Sequence, residues 1–212
     1  MNRLLLYIMF LVAGTCLLSC GRTVTDREGL LSWSGKKENG YVCSKVVGEV
    51  QYSCRVLPSV CLAWRDIELD DSLDMSDMAA VSRGYDSSLV MLFHIGPEDP
   101  KADWDIMTAN VEDYDGYREK VLRMSFDMKE NFVLTVGEDR RHPVLVRLEN
   151  HYGMKQGRNL MLVFDLEGAT QEELFRNDFA LDYTDDLFHS GKMRFNFNDL
   201  NSLPTIKTTA GR

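Results

Sequence analysis

Ser34-Gly35-Lys36-Lys37 matches Ser-x-x-Lys, the pattern in which a lysine helps turn a serine into an acyl-accepting nucleophile. Neither a Ser-Asp-Asn nor a Lys-Thr-Gly follows it, and it precedes any stretch able to form a core, so the match reads as incidental. Clustered carboxylates invite a hard cation, and Asp66, Glu68, Asp70, Asp71, Asp74 and Asp77 form such a cluster without a ligand spacing. Asp113-Tyr114-Asp115-Gly116 imitates the middle of an EF-hand loop, but the first ligand position falls on Val111 and the closing acid on Leu122. Asp182, Asp185 and Asp186 belong to a turn, where aspartate side chains bond the local backbone. His94, His142, His151 and His189 show no paired spacing, and Gly-x-Ser-x-Gly, His-Glu-x-x-His and phosphate-cradling glycine loops are absent from the chain. No metal or cofactor is expected.

Binding chemistry offers more. Arg140-Arg141-His142, with Arg147, Lys155 and Arg158, is the one basic concentration on an acidic chain; it suits an anionic glycan or an acidic partner face, or else a solvated hairpin tip. Trp33, Trp64 and Trp104 have faces that stack on sugars, although Trp64, following Val60 and Leu62 at strand spacing, reads as core. Cys43, Cys54 and Cys61 are an odd set. If Val56 to Ser59 forms a four-residue loop between antiparallel strands, Cys54 lies opposite Cys61 and a disulfide can join them; otherwise all three are small buried hydrophobes.

The elements that would position these residues are mostly strands. Val46 to Val56, Leu122 to Met128, Phe132 to Val136, Val144 to Leu148, Leu160 to Leu166, Phe179 to Tyr183 and Met193 to Phe197 alternate apolar and polar with a period of two. Leu89 to Ile95 is apolar on both faces except at His94, as in a central strand. Short helices are predicted over Asp74 to Val81, within 111–121, and after the capping box Thr170-Gln171-Glu172-Glu173. Strands joined by short polar connections, without regular strand–helix alternation, predict a mainly β fold: an antiparallel β-sandwich of the immunoglobulin-like type with one to three short helices.

The chain opens Met1-Asn2-Arg3, runs apolar from Leu4 to Leu18, and breaks at Ser19-Cys20, the layout of a secretory signal rather than of a fold element. A bilayer span needs about 20 apolar residues, more than this run supplies. Leu17-Leu18-Ser19-Cys20 resembles the lipobox of bacterial lipoproteins, whereas Cys16 lacks the large aliphatic residue three places earlier. The resemblance implies cleavage after Ser19, acylation of Cys20 and, with Gly21 rather than Asp next, an outer-membrane destination in the cell envelope. It covers only the signal and the anchor. The expected organisation is a signal over 1–19, a flexible tether over 20–40 rich in Thr, Ser, Gly, Lys and Glu, a β-sandwich over 41–207 and a tail over 208–212. Removing Arg3 with the signal leaves 33 acids against 23 Lys and Arg, a net charge of −10, which opposes nucleic-acid binding.

A lipid-anchored, non-catalytic binding or assembly module, with envelope proteins or glycans as partners, is the expectation that follows. The alternatives are a lipid-anchored hydrolase of glycans, whose carboxylates need not be close in sequence, and a protective protein that neutralises a toxin or hydrolase. Changing Cys20 to Ala is expected to abolish fatty-acid labelling and shift the protein out of alkali-washed membranes. Retention of the unlabelled variant in that fraction would contradict the anchor.

Overall fold

The computed structural model describes residues 23–149 and 156–207. The signal, Cys20, His151, Lys155 and the 208–212 tail lie outside them. In chain order the elements are β1 (Thr23–Val24), α1 (Arg27–Ser34), β2 (Val42–Val47), β3 (Val50–Leu57), α2 (Ser59–Leu69), α3 (Met78–Arg83) and β4 (Ser88–Pro97). They continue with α4 (Tyr114–Phe126), β5 (Phe132–Val136), β6 (Asp139–Arg141), β7 (Leu145–Leu148), β8 (Arg158–Asp165), α5 (Gln171–Phe175), β9 (Phe179–Asp185), β10 (Gly191–Phe197) and β11 (Thr205–Ile206). Strand outweighs helix among the described residues, 35% against 29%, so the protein is mainly β.

One sheet runs β2-β3-β4-β8-β7 and the other β10-β9-β5-β6, with every neighbouring pair antiparallel. The period of two puts Val50, Tyr52, Cys54 and Val56 of β3 and Leu89, Met91, Phe93 and Ile95 of β4 on one buried face. Phe132 and Leu134 of β5, Leu181 and Tyr183 of β9, and Phe195 and Phe197 of β10 belong to the same core. The Phe93 ring lies 4.7 Å from Tyr183, 5.0 Å from Phe132 and 5.5 Å from Phe195, centre to centre, so the two sheets face each other across a shared aromatic seam. This arrangement is compatible with a β-sandwich. β4 is central in its sheet, as its two-sided apolar pattern requires.

Four expectations need correction. The alternation from Val46 to Val56 is not one strand: Val47 pairs with Val50, and Gly48, at φ +60°, turns the chain there. Leu122 to Met128 is not a strand. The Asp113 side chain accepts from the Gly116 amide and starts α4, which then runs through Phe126 with Lys120 and Met124, four residues apart, on its buried side. Val60, Leu62 and Trp64 likewise belong to a helix, α2, whose first amide, Ser59 N, donates to Gln171 Oε1. α-Helices therefore number five among the described residues, beside three short 3-10 turns, above the one to three expected.

The fourth correction concerns 20–40. From Thr23 onward this segment is part of the fold and not a tether: Asp26 caps α1, β1 pairs with β11, and Leu30 and Trp33 are buried. The Trp33 ring packs 5.3 Å from Tyr41, which packs edge-on to Phe175. Replacing Trp33 by Ala is accordingly expected to cost about 3–5 kcal/mol in urea unfolding, as large as Phe195→Ala in the seam. A loss near zero would return Trp33 to the tether.

Candidate functional site

At one end of the two sheets three connections converge: the β2–β3 turn, the long 98–113 connection and the β9–β10 turn. Between them opens a cleft of about 540 Å³ lined by Glu49, Trp104, Asn110, Phe188, His189 and Ser190, among others. Both sheets thus contribute to one mouth. Concave sites that mix aromatic faces with a few polar groups are where ligands bind. Asn110 and His189 hold φ of +56° and +57°, left-handed backbone that costs a non-glycine residue energy and concentrates at functional sites.

The rim is held from below by Asp185, only 3% exposed. Its carboxylate accepts from the Tyr52 hydroxyl at 2.8 Å, the Tyr183 hydroxyl at 3.1 Å, and the amides of Leu187, Phe188 and Ser190 at 3.1, 3.3 and 3.0 Å. The Ser190 and Tyr52 hydroxyls are 3.0 Å apart and share a further bond. Burial pushes the Asp185 carboxyl up, but the Ser190, Tyr52 and Tyr183 hydrogen bonds outweigh it and hold the group below its ordinary value. Burial, with Asp185 beside them, raises both tyrosine hydroxyls far above theirs. Lys120, itself buried, donates to Ala109 O at 2.7 Å and lies 4.6 Å from the centre of the Phe188 ring, joining two walls of the cleft. Burial lowers its pKa, opposed by Asp105 and Asp185. Asp105 in turn takes both oxygens to Arg158, at 3.0 and 2.9 Å, and accepts from Met107 N, which pins the long connection.

A second polar arrangement crosses the outer face of the five-stranded sheet. Ser44 faces Ser53, Ser53 faces His94, His94 faces Asn159, and Glu149 N bonds Asn159 O, one lateral row over five neighbouring chain segments. His94 Nδ1 lies 2.8 Å from Asn159 Oδ1, and Asn159 Nδ2 donates to Glu149 Oε2 at 3.0 Å. A Cβ on Gly157 would come within 2.4 Å of the His94 ring and one on Gly96 within 2.7 Å, so both glycines are dictated by the imidazole. An open depression of about 630 Å³ lies beside it, with Gln51, Glu98 and Lys101 on its walls. Residues far apart in the chain meet here, and only strand register reveals the row.

The other sequence candidates are dispersed. Arg140 approaches Asp182 at 4.0 Å, Arg141 bonds Asp139 and Asp165 O, and His142 bonds Phe132 O with Glu130 at 3.4 Å, so the expected anion-binding trio is engaged with three different parts of the fold. Ser34 is buried and donates to Leu31 O. Trp33 and Trp64 are core, and Trp104 alone of the three lines the cleft. Asp70 and Asp74 bond the backbone of their own turns. The hairpin over Val56 to Ser59 that would have set Cys54 opposite Cys61 does not form: Cys54 lies on β3 and Cys61 on α2, and the structure carries no bond between Cys43, Cys54 and Cys61. Among the described residues no group of three His, Cys, Asp or Glu is placed to hold a metal ion, and no helix is long and apolar enough to cross a membrane.

No protein-family model matches this chain, and no curated protein matches it. A crystallised protein of unknown function from Burkholderia pseudomallei K96243 is similar at 12% identity over 84% of this chain and 89% of that one, with a TM-score of 0.39.

Because the folded Asp185 titrates below the 3.8 of an unconstrained aspartate, its contribution is fully present above that value and is lost as pH falls through the lower folded one. Asp185→Asn is expected to cost about 1–3 kcal/mol at neutral pH, through donors left without a charged acceptor. The gap to the unaltered protein should close on acidification. Urea unfolding at several pH values reads it, and a gap that is absent or independent of pH would contradict the assignment.

Proposed function

We propose that this protein is a lipid-anchored cell-envelope component, carried on acylated Cys20 and directed to the outer membrane, that acts as a non-catalytic binding or assembly module. Its ligand enters the cleft between the β2–β3 turn, the long connection and the β9–β10 turn. The observation that carries this reading is that the reactive groups around the cleft are spent on architecture. Asp185 satisfies five donors, Lys120 holds Ala109 O, and the Ser190 hydroxyl is tied to Tyr52. What remains for a ligand is the Trp104 and Phe188 rings with Glu49, Asn110 and His189 around them.

Apolar faces flanked by single hydrogen-bonding groups suit a glycan, which stacks its C–H surface on aromatic rings and directs its hydroxyls to the edges. Hydrolysis of such a glycan needs two carboxyl groups facing each other across the scissile bond. Glu49 is the carboxylate among the cleft-lining residues, and Asp185 beneath is committed to the fold. The balance therefore favours binding over hydrolysis. The immunoglobulin-like type of sandwich belongs to the same reading, supported by two antiparallel sheets on one core with a ligand mouth at the loop end.

Titration of soluble cell-wall glycan fragments into the detergent-purified protein tests this. Trp104→Ala should weaken binding at least about tenfold, the loss of one stacked ring, when titrated at a temperature where circular dichroism shows the variant fully folded, since Trp104 also packs on the core. Release of shorter fragments that disappears with Glu49→Gln would replace binding by hydrolysis.

A further inference from the structure

The β2–β3 hairpin brings together two thiols from neighbouring strands. Its register sets Cys43 directly opposite Cys54. Val56 N donates to Tyr41 O at 2.9 Å, which makes Tyr41 and Val56 a hydrogen-bonded pair. Pair type alternates along an antiparallel ladder, so Cys43 and Cys54, two steps on, are a pair of the same kind, with Cα atoms about 5.5 Å apart. That spacing lies inside the range a disulfide spans, about 4.4–6.8 Å. Residues directly opposite also project from the same face. Here it is the core face: Cys54 is wholly buried, and Cys43 is half-buried against the same cluster. Cys61 lies elsewhere, on α2 with Leu30 and Trp64.

We propose that Cys43 and Cys54 form a cross-strand disulfide in the exported protein, with Cys61 left as a thiol. The exported setting rests on the lipoprotein reading above; the pairing rests on the hairpin alone. β2 is the edge strand of its sheet, so Cys43 is the thiol that an external oxidant reaches first. Burial pushes the Cys54 thiol well above its ordinary value and the neighbouring Cys43 adds to this, so Cys54 is seldom a thiolate and the first attack falls to Cys43. The Cys43 thiolate attacks one sulfur of a disulfide-bearing thiol oxidoreductase and displaces the other as a thiolate. The Cys54 thiolate then attacks the Cys43 sulfur of the mixed disulfide and releases the oxidant's remaining thiol. Two protein thiols lose two electrons and two protons, and the oxidant's disulfide becomes a dithiol.

The test uses the full chain, exported and acid-quenched, with free thiols alkylated under denaturing conditions before peptide mapping by mass spectrometry. A parallel sample of the detergent-purified protein is incubated with oxidised glutathione. The expected result in both is a peptide pair joined through Cys43 and Cys54, lighter by two hydrogen atoms, with Cys61 alkylated. Cys61→Ser should keep the link, and reduction should lower the melting temperature of that variant. A link that forms only with glutathione would contradict export into an oxidising compartment while upholding the pair. Alkylation of all three cysteines in both samples, or a link to Cys61, would overturn the pairing.

Discussion

The hydrogen bond from the Tyr52 hydroxyl to the Asp185 carboxylate ties one sheet to the other where the cleft opens. Tyr52 belongs to β3 of the five-stranded sheet and Asp185 ends β9 of the four-stranded one. A carboxylate this deeply buried is tolerated only when its lone pairs are filled. Asp185 fills them from three directions: Tyr52 across the sheets, Tyr183 along its own strand, and the amides of the following turn. That turn carries Phe188, His189 and Ser190 into the cleft, so satisfying one buried charge also fixes the position of one wall.

The rest of the core supports the same constraint. Phe93 contacts Phe132, Tyr183 and Phe195, and Tyr183 stacks on Phe132 at 4.9 Å, so the tyrosine that donates to Asp185 is itself clamped by the seam between the sheets. Lys120 carries the constraint outward, since its ammonium holds the long connection and its charge faces the ring of Phe188. The cleft is therefore built on strand ends and a helix rather than on loops alone, which favours a mouth pre-shaped for its ligand.

Much of the sheet structure is legible in the sequence. Phe179, Leu181 and Tyr183, or Met193, Phe195 and Phe197, alternate because one face is buried and the other wet, and that pattern survives in one dimension. The capping box at Thr170 is equally plain, because a cap is local chemistry. Leu122 to Met128 misleads because the exposed Leu122 and Phe126 complete a false alternation with the buried Met124 and Met128, and the signal that sets the helical period, the cap at Asp113, lies well before that stretch. The site is harder. Asp185 reads as an ordinary turn aspartate, since its tyrosine partner on β3 is 133 positions away. His94 stands out only as a polar interruption in an apolar strand, and Asn159 and Glu149 give no sign of meeting it until the register is known.

A double-mutant cycle between Tyr52→Phe and Asp185→Asn measures the central link directly, by comparing the unfolding free energies of both single variants and the double variant. If the bond between the sheets organises this end of the fold, the two losses are non-additive, with a coupling of about 0.5–3 kcal/mol. Losses that simply add would show that Tyr52 and Asp185 act independently, and the sheets would then be joined at the cleft by apolar packing alone.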